Sequence, residues 1–287
     1  MNNRAEGEES VFRFPSPLLL SKITDGDDPE NMNSETIFNP ETERLDHINE
    51  RLSLIQSKKG LTFGTDSYLL AAFARPRKNG VCVEFGSGTG VVSCLAASRG
   101  KYRRIYAVEV QEYFAGLTSR NASLNALSDV IIPLTGDIRV LGTKDTGGEC
   151  DAVITNPPYM KDRSGKAAAN AEMSAARREE NGTIADFCRS ASRILKSGGY
   201  FTAVYRPDRC AELLFRMKEN RLEPKRIIFV YPSVSSKPCL ILAEGKKDSS
   251  EGVVVSRPLI IYEGECGGVY TSDMQAVYDS FSLEHLF

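Results

Sequence analysis

The sequence predicts an α/β fold: a doubly wound, largely parallel sheet of seven strands whose last strand is antiparallel, forming a single domain behind an N-terminal tail. Short apolar runs alternate with helical stretches from Leu45 onward. The runs are continuous and rich in β-branched residues, which is typical of strands covered on both faces. Only the short loop "PSVSSK" separates the last two runs, so we expect a hairpin that reverses the final strand.

The elements follow in chain order. We expect strands at residues 81–85, 104–110, 130–135, 150–155, 199–205, 226–231 and 238–244. We expect helices between them at residues 89–99, 111–127, 183–196 and 208–220. The third of these helices closes with "KSGG", a typical C-terminal stop. Residues 253–263, "VVVSRPLIIYE", predict one further strand at the edge of the sheet.

The first 43 residues differ in composition from the rest of the chain. They hold ten acidic and three basic residues, a charge of −7 that leaves +5 for the remainder. Apart from the patch "SPLLLSKI", they contain too few apolar residues to form a core. We therefore expect an acidic, disordered leader over residues 1–43 and one folded domain over residues 44–287.

Composition also argues against several kinds of protein. No apolar run reaches the ~18 residues of a membrane helix, and the acidic start "MNNRAEGEES" is unlike a signal peptide. The seven cysteines include no CxxC pair, which disfavours both a disulfide framework and a zinc site. His47 and His285 lack partners at metal-ligand spacing. These features predict a cytoplasmic protein with free thiols, no membrane contact and no metal.

A glycine-rich turn, "EFGSGTG", ends the first predicted strand. Gly86, Gly88 and Gly90 allow the backbone to turn tightly and to approach a ligand without side-chain obstruction. Their spacing is GxGxG and not the GxGxxG of dinucleotide-binding turns. Ligands of such sheets bind beyond the carboxyl ends of the strands, so this turn marks one wall of a predicted site.

Acidic residues lie at or just after the ends of three successive predicted strands, at the same edge of the sheet. Glu84 precedes the glycine turn, and Glu109 ends the second strand 19 residues after Gly90. An acid about 20 residues beyond such a turn reaches ribose hydroxyls in this architecture. Asp137 follows the third strand, where a carboxylate can accept a hydrogen bond from an adenine amino group. Acids facing one site disfavour a phosphate-rich cofactor.

Together these features resemble the class I S-adenosylmethionine-dependent methyltransferases, whose fold is Rossmann-like, over roughly residues 50 to 245. The resemblance implies that the three glycines line the methionine part of S-adenosylmethionine, Glu109 holds the ribose, and Asp137 with Ile138 reads the adenine. Glu84 would act near the amino-acid end through water or backbone contacts. The implied cofactor site consists of Thr65, Glu84, Phe85, Gly86, Gly88, Gly90, Glu109, Asp137 and Ile138.

The motif "NPPY" at residues 156–159 follows the fourth predicted strand, next to the implied cofactor. An amine on a flat ring is a poor nucleophile because its lone pair is delocalised. The Asn156 side-chain oxygen and the Pro157 carbonyl can accept its two N–H groups, while Pro157 and Pro158 fix the backbone. Tyr159 can stack on an unstacked base, a contact worth ~1 to 3 kcal/mol. These four residues are the predicted catalytic residues.

The motif indicates a planar nitrogen but does not identify the substrate. It is shared by adenine-N6 methyltransferases acting on DNA or RNA, guanine-N2 methyltransferases of ribosomal RNA and glutamine-N5 methyltransferases of release factors. The segments "LIQSKKGLTFGTDSYLLAAFA" and, more specifically, "RPLIIYEGECGGVYTSDMQAVY" resemble the bacterial family that methylates N6 of an adenosine beside the anticodon of a valine tRNA. This resemblance covers about residues 45 to 280 and omits the acidic leader.

The resemblance implies tRNA as the partner. Basic residues after the motif are expected to contact its phosphates: Lys161, Arg163, Lys166, Arg177 and Arg178. A DNA adenine-N6 methyltransferase is the nearest alternative, although no separate domain for reading duplex sequence is evident. A glutamine-N5 methyltransferase and a non-catalytic RNA chaperone that binds S-adenosylmethionine remain as further alternatives.

Overall fold

The computed structural model describes residues 38–49, 52–58, 64–158, 182–264 and 268–287. The strands are β1 Glu43–Asn49, β2 Leu52–Ser57, β3 Arg77–Phe85, β4 Tyr102–Glu109, β5 Ile131–Thr135, β6 Cys150–Thr155, β7 Leu195–Tyr205, β8 Leu222–Tyr231, β9 Leu240–Lys247, β10 Val254–Val255 and β11 Leu259–Ile260. The helices, numbered here in chain order, are α1 Thr65–Phe73, α2 Val91–Ser98, α3 Glu112–Leu124, α4 Ile184–Ile194, α5 Cys210–Glu219 and α6 Ser272–Ser280. Short 3-10 turns lie at Pro207–Arg209 and Glu284–Leu286.

The main sheet confirms the predicted doubly wound α/β fold. Its strand order is β10-β8-β9-β7-β6-β3-β4-β5, with β11 also paired to β8. The seven predicted strands are β3 to β9, and β9 runs antiparallel to both of its neighbours, as predicted. The expected edge strand over 253–263 is instead two short strands, both parallel to β8, so the described sheet has nine strands. The two pieces pair with different parts of β8. The Ser256 N–H still donates to the Ile227 carbonyl of β8 at 3.0 Å, whereas the Arg257 N–H turns to the Leu286 carbonyl.

Apolar side chains cover both faces of the sheet, which explains why its strands read as continuous apolar runs. Along β3, Cys82 belongs to the cluster with α1 and α2, whereas its neighbour Val83 belongs to the cluster with α4 and α5. Helix α4 begins with a capping box in which Thr183 and Asp186 bond to each other's backbone N–H groups. The two layers cover both faces of the sheet, so a ligand can reach it at the carboxyl ends of its strands.

A separate antiparallel hairpin, β1–β2, precedes the main sheet and was not predicted. It begins at Glu43, which the sequence analysis placed in the leader. The Glu43 carboxylate is buried and accepts bonds of 2.8 and 2.7 Å from the Arg120 guanidinium of α3. That hydrogen bonding lowers the pKa of Glu43. The hairpin is therefore anchored to the domain at its first residue.

Asn121 of α3 and Asn125, which caps the C-terminus of that helix, bind the outer edge of β2. Asn121 accepts from the Ile55 N–H at 2.6 Å and donates to the Ile55 carbonyl at 3.0 Å. Asn125 does the same to Ser53, with distances of 3.0 and 2.7 Å. Asn121 also donates to the Thr89 carbonyl at 2.8 Å, within the glycine turn. The hairpin and the glycine turn thus share one buried amide.

The C-terminal segment packs on α1, a helix that was not predicted. The Tyr68 ring of α1 lies 4.7 Å from the ring of Tyr278 and 5.2 Å from that of Phe281, measured between centroids. At the other end of α1, the buried Lys101 ammonium donates to the carbonyls of Ala71 and Ala72 at 2.8 Å, and also to Ala74. Helix α1 is therefore fixed at both ends.

Within the described ranges, no helix is both long and apolar enough to cross a membrane. The same part of the chain holds no cluster of three or more His, Cys, Asp or Glu side chains that could bind a metal ion.

Candidate active site

The glycine turn, Glu109, Asp137 and Asn156 lie at the carboxyl ends of strands β3 to β6. Strand β3 lies between β4 and β6. Strands β4 and β5 are added on one side of β3 and strand β6 on the other, so the strand order reverses at β3 and forms a switch point. Phe85 at the end of β3 pairs with Val108 on one side and Thr155 on the other. The glycine turn, the end of β4 and the "NPP" segment are therefore neighbours.

The glycine turn adopts a backbone that only glycine accepts readily. Gly86, Gly88 and Gly90 have φ angles of +67°, +54° and +78°. A side chain at Gly90 would lie 2.7 Å from the Thr118 methyl group of α3, so this glycine is also required for packing. At Gly86 and Gly88 a side chain would meet nothing within 4 Å. These two face open space from which a ligand can approach the backbone.

Glu109 is held rigidly beside this turn. It is buried, and its two carboxylate oxygens accept the backbone N–H groups of Gly88 at 2.9 Å and Gln111 at 3.0 Å. Each carboxylate oxygen has a second lone pair. The geometry can therefore hold a diol while the turn keeps its shape.

Glu84 has a structural partner that the sequence did not indicate. Its Oε2 atom accepts the backbone N–H of Ser93 at 2.9 Å and also a very short bond from the Ser93 hydroxyl, in the first turn of α2. Burial raises the pKa of Glu84 to about 8, against the opposing effect of the Ser93 bonds, and the charge of Glu109 adds to the rise. The side chain is therefore mostly protonated at neutral pH, which disfavours a role as counter-ion to an ammonium group.

The Asp137 segment is held next to Glu109. The Gly136 N–H donates to the Glu109 carbonyl at 2.9 Å. The Asp137 carboxylate is partly exposed and accepts from the backbone and guanidinium of Arg139, and the side-chain bond lowers the pKa of Asp137. The Ile138 side chain is buried in the core and its carbonyl accepts from Arg193 at 2.8 Å. Of this pair, Asp137 presents the polar group.

Two further predicted cofactor residues occupy different environments. The Phe85 side chain is fully buried against Phe187, with the ring centroids 6.2 Å apart, so the core accounts for its side chain. Its carbonyl accepts from the Thr155 hydroxyl at 3.1 Å, which ties the ends of β3 and β6 together. Thr65 is the first residue of α1 and is partly exposed.

Asn156 directly follows β6 and is partly buried. Its side-chain nitrogen donates to the Asp66 Oδ2 atom of α1 at 2.9 Å. Sequence reasoning missed Asp66, although the segment "FGTDSY" that contains it was part of the resemblance. Pro157 is buried and Pro158 is partly buried. Tyr159 and the five basic residues predicted to contact RNA lie outside the described residues.

A protein-family comparison matches residues 52–220 to the methyltransferase small domain. Curated relatives are named tRNA1(Val) (adenine(37)-N6)-methyltransferase. That of Porphyromonas gingivalis is 27% identical over 201 residues, covering 68% of this chain and 78% of the relative. That of a Flavobacteriaceae bacterium is 24% identical over 214 residues, covering 75% of this chain and 88% of the relative.

Solved structures share the fold at low identity. A predicted O-methyltransferase of Agrobacterium tumefaciens aligns with a TM-score of 0.61 and 22% identity, covering 76% of this chain and 97% of that one. TYW2 of M. jannaschii in complex with AdoMet aligns with a TM-score of 0.50 and 18% identity, covering 73% of this chain and 87% of that one.

Proposed function

The chain belongs to the methyltransferase small domain family, and on that premise we propose that it transfers a methyl group from S-adenosylmethionine to N6 of an adenine in tRNA. The membership confirms the resemblance to methyltransferases inferred from the sequence. The curated relatives support the substrate, because their names specify adenine 37 of a valine tRNA. We place the reaction in the cytoplasm, with tRNA as the partner.

The site fits S-adenosylmethionine in its donor and acceptor groups. Gly86 and Gly88 leave open space beside the backbone for the methionine part. Glu109 presents two pre-oriented oxygens for the ribose diol. The Asp137 carboxylate can accept from the adenine amino group in place of its present bond from the Arg139 guanidinium. When bound, S-adenosylmethionine supplies the electrophilic methyl group.

The observation that carries the proposal is the place of the "NPP" segment. Thr155, the last residue of β6, pairs with Phe85, which immediately precedes the glycine turn. Asn156, the next residue, therefore lies beside the glycine turn that is proposed to bind the cofactor. Its side-chain oxygen and the Pro157 carbonyl are acceptors for the two N–H groups of an exocyclic amine, while Tyr159 provides a stacking ring.

These residues act by positioning. The acceptors hold the amine nitrogen in line with the methyl group and favour a more tetrahedral nitrogen, whose lone pair attacks more readily. The nitrogen forms the new bond to carbon as the carbon–sulfur bond breaks, and one N–H proton then leaves to water. No protein base is required for that order of events. The basic residues Lys161, Arg163, Lys166, Arg177 and Arg178 would meet the phosphates of the tRNA.

The test is to incubate the protein with labelled S-adenosylmethionine and tRNA and to identify the modified nucleosides by mass spectrometry. We expect N6-methyladenosine in tRNA, and no labelled product in DNA or in release-factor protein offered in parallel. Asn156→Ala should lower turnover by at least about a hundredfold while the affinity for S-adenosylmethionine changes little. Tyr159→Phe should retain much of the activity that Tyr159→Ala loses.

Each alternative product would assign a different function. Methylglutamine or N2-methylguanosine would overturn the adenine assignment while leaving the chemistry of the motif intact. Labelled DNA alone would indicate a DNA adenine methyltransferase. If the cofactor binds and nothing is methylated, the chain is a non-catalytic binder.

A further inference from the structure

We propose that Asp66 is the positioning residue that sets the orientation of the Asn156 amide. The proposal rests on the methyl transfer proposed above and names a residue that it lacked. Asp66 lies in the first turn of α1, ninety positions before Asn156 in the chain. The two side chains meet at the carboxyl edge of the sheet, through a bond of 2.9 Å from Asn156 Nδ2 to Asp66 Oδ2.

The chemistry of an amide makes this contact consequential. An asparagine side chain carries a donor end and an acceptor end of nearly equal shape, so packing alone does not determine which end faces a substrate. An exocyclic amine needs acceptors for its N–H groups. An ionised carboxylate only accepts hydrogen bonds, so Asp66 can bind only the NH₂ end of Asn156. The carbonyl end is thereby assigned to the substrate.

Asp66 is itself held in place. Its Oδ1 atom accepts the backbone N–H of Ser67 at 2.7 Å. The carboxylate also lies at the N-terminal end of α1, where the helix dipole favours a negative charge. A charge-assisted bond from such a fixed group is stronger than one between neutral partners. The acceptor that binds the NH₂ end of Asn156 is therefore held by a helix.

Gly64 provides an independent sign that this carboxylate position matters. A Cβ atom at Gly64 would lie 2.7 Å from the Asp66 Oδ1 atom. Gly64 has an extended backbone, with φ −127° and ψ 172°, so its own conformation does not require glycine. The space above it is instead occupied by the Asp66 carboxylate. We expect Gly64→Ala to push the carboxylate away from Asn156.

The experiment is a double-mutant cycle in the full chain with tRNA as substrate. Asp66→Ala should lower kcat by about a hundredfold, the usual scale for lost positioning, with KM for tRNA and the affinity for S-adenosylmethionine nearly unchanged. Asp66→Asn should restore activity to within about tenfold of the native value, because its side-chain oxygen can still accept the Asn156 N–H groups. The matched control is Asp129→Ala. Asp129 is an exposed acid that precedes β5, at the amino ends of the parallel strands and away from the site. This variant should behave as the native protein.

The cycle separates action through Asn156 from an independent effect. If Asp66 acts through Asn156, the double variant should be no slower than Asn156→Ala alone. Losses that multiply, or a native kcat in Asp66→Ala, would overturn the proposal.

A second readout remains informative even if no substrate is methylated. The side-chain amide signal of Asn156 in an NMR spectrum of asparagine-labelled protein should move in Asp66→Ala and in Gly64→Ala, and stay in place in Asp129→Ala. An unmoved signal in Asp66→Ala would refute the contact itself. Absent methylation in the native chain, with the signal moved as expected, would refute the proposed function alone.

Discussion

Replacing Glu84 with glutamine should remove a pH dependence from the stability of the protein. The glutamine side chain has nearly the same shape, and its amide oxygen can accept both bonds from Ser93. The substitution therefore preserves the link between the end of β3 and the first turn of α2. It removes only the ability of the side chain to ionise.

The size of the effect follows from the raised pKa. Burial lifts the pKa of Glu84 from 4.5 to about 8, so the folded state binds a proton more tightly than the unfolded state. The resulting stabilisation is complete below the unfolded pKa and is lost as the pH rises through about 8. At about 1.4 kcal/mol per pKa unit, the loss between roughly pH 6 and pH 9 is about 2 to 3 kcal/mol.

The assay is urea unfolding of the native protein and Glu84→Gln at the two pH values. The native protein should lose about 2 to 3 kcal/mol more than the variant between pH 6 and pH 9, with similar slopes in urea. Ser93→Ala is the matched control because it leaves Glu84 able to ionise. The bond from the Ser93 hydroxyl lowers the pKa of Glu84, so in this variant the pKa should rise and the loss of stability should extend to higher pH. Equal pH dependence in the native protein and Glu84→Gln would show that Glu84 is ionised when folded, and would allow it to act as counter-ion to an ammonium group of the cofactor.

Three other substitutions test how the site and the hairpin beside it are held. Glu109→Ala and Asp137→Ala should each weaken S-adenosylmethionine binding roughly ten- to hundredfold, because each loses a charged hydrogen-bond partner. The measurement is calorimetry, with Asp129→Ala as the control. Unchanged affinity in both variants would contradict the assigned contacts. Asn121→Ala leaves the buried N–H of Ile55 and the Thr89 carbonyl without this partner. Asn121→Ala should lower the free energy of unfolding by about 2 to 4 kcal/mol. The control Ser123→Ala, on the exposed side of α3, should change it little. Equal effects of the two substitutions would refute the role of the Asn121 amide.

The sheet could be predicted because its strands are buried on both faces and therefore read as uninterrupted apolar runs. Helix α1 could not. Six of its nine residues are buried, from Tyr68 through Phe73. A helix with such a continuous buried run lacks the amphipathic pattern by which helices are detected. The first residue of the β1–β2 hairpin was misplaced for a different reason. Glu43 is an acid that matches the leader in composition, and its burial depends on bonds from distant Arg120 and Tyr113 and from the Asn39 N–H.

The candidate site divides in the same way. The topology of a doubly wound sheet places whatever follows each strand at one edge, so the glycine turn, Glu109, Asp137 and Asn156 could be grouped from the sequence. Side-chain partners follow no such rule. The bond between Asp66 and Asn156 joins residues from distant segments, and no local spacing announces it.

The pair formed by Asn121 and the C-cap residue Asn125 limits how this chain can change in evolution. Four residues along a helix rise about 6 Å, close to the ~6.7 Å between alternate residues of a strand. Asn121 and Asn125 therefore act in place of a neighbouring strand along β2 and close its outer edge to pairing with another chain. They recognise only the backbone of Ser53 and Ile55. These bonds therefore place no requirement on the side chain at position 53. Replacing either asparagine, in contrast, would leave backbone N–H and C=O groups of β2 without these partners.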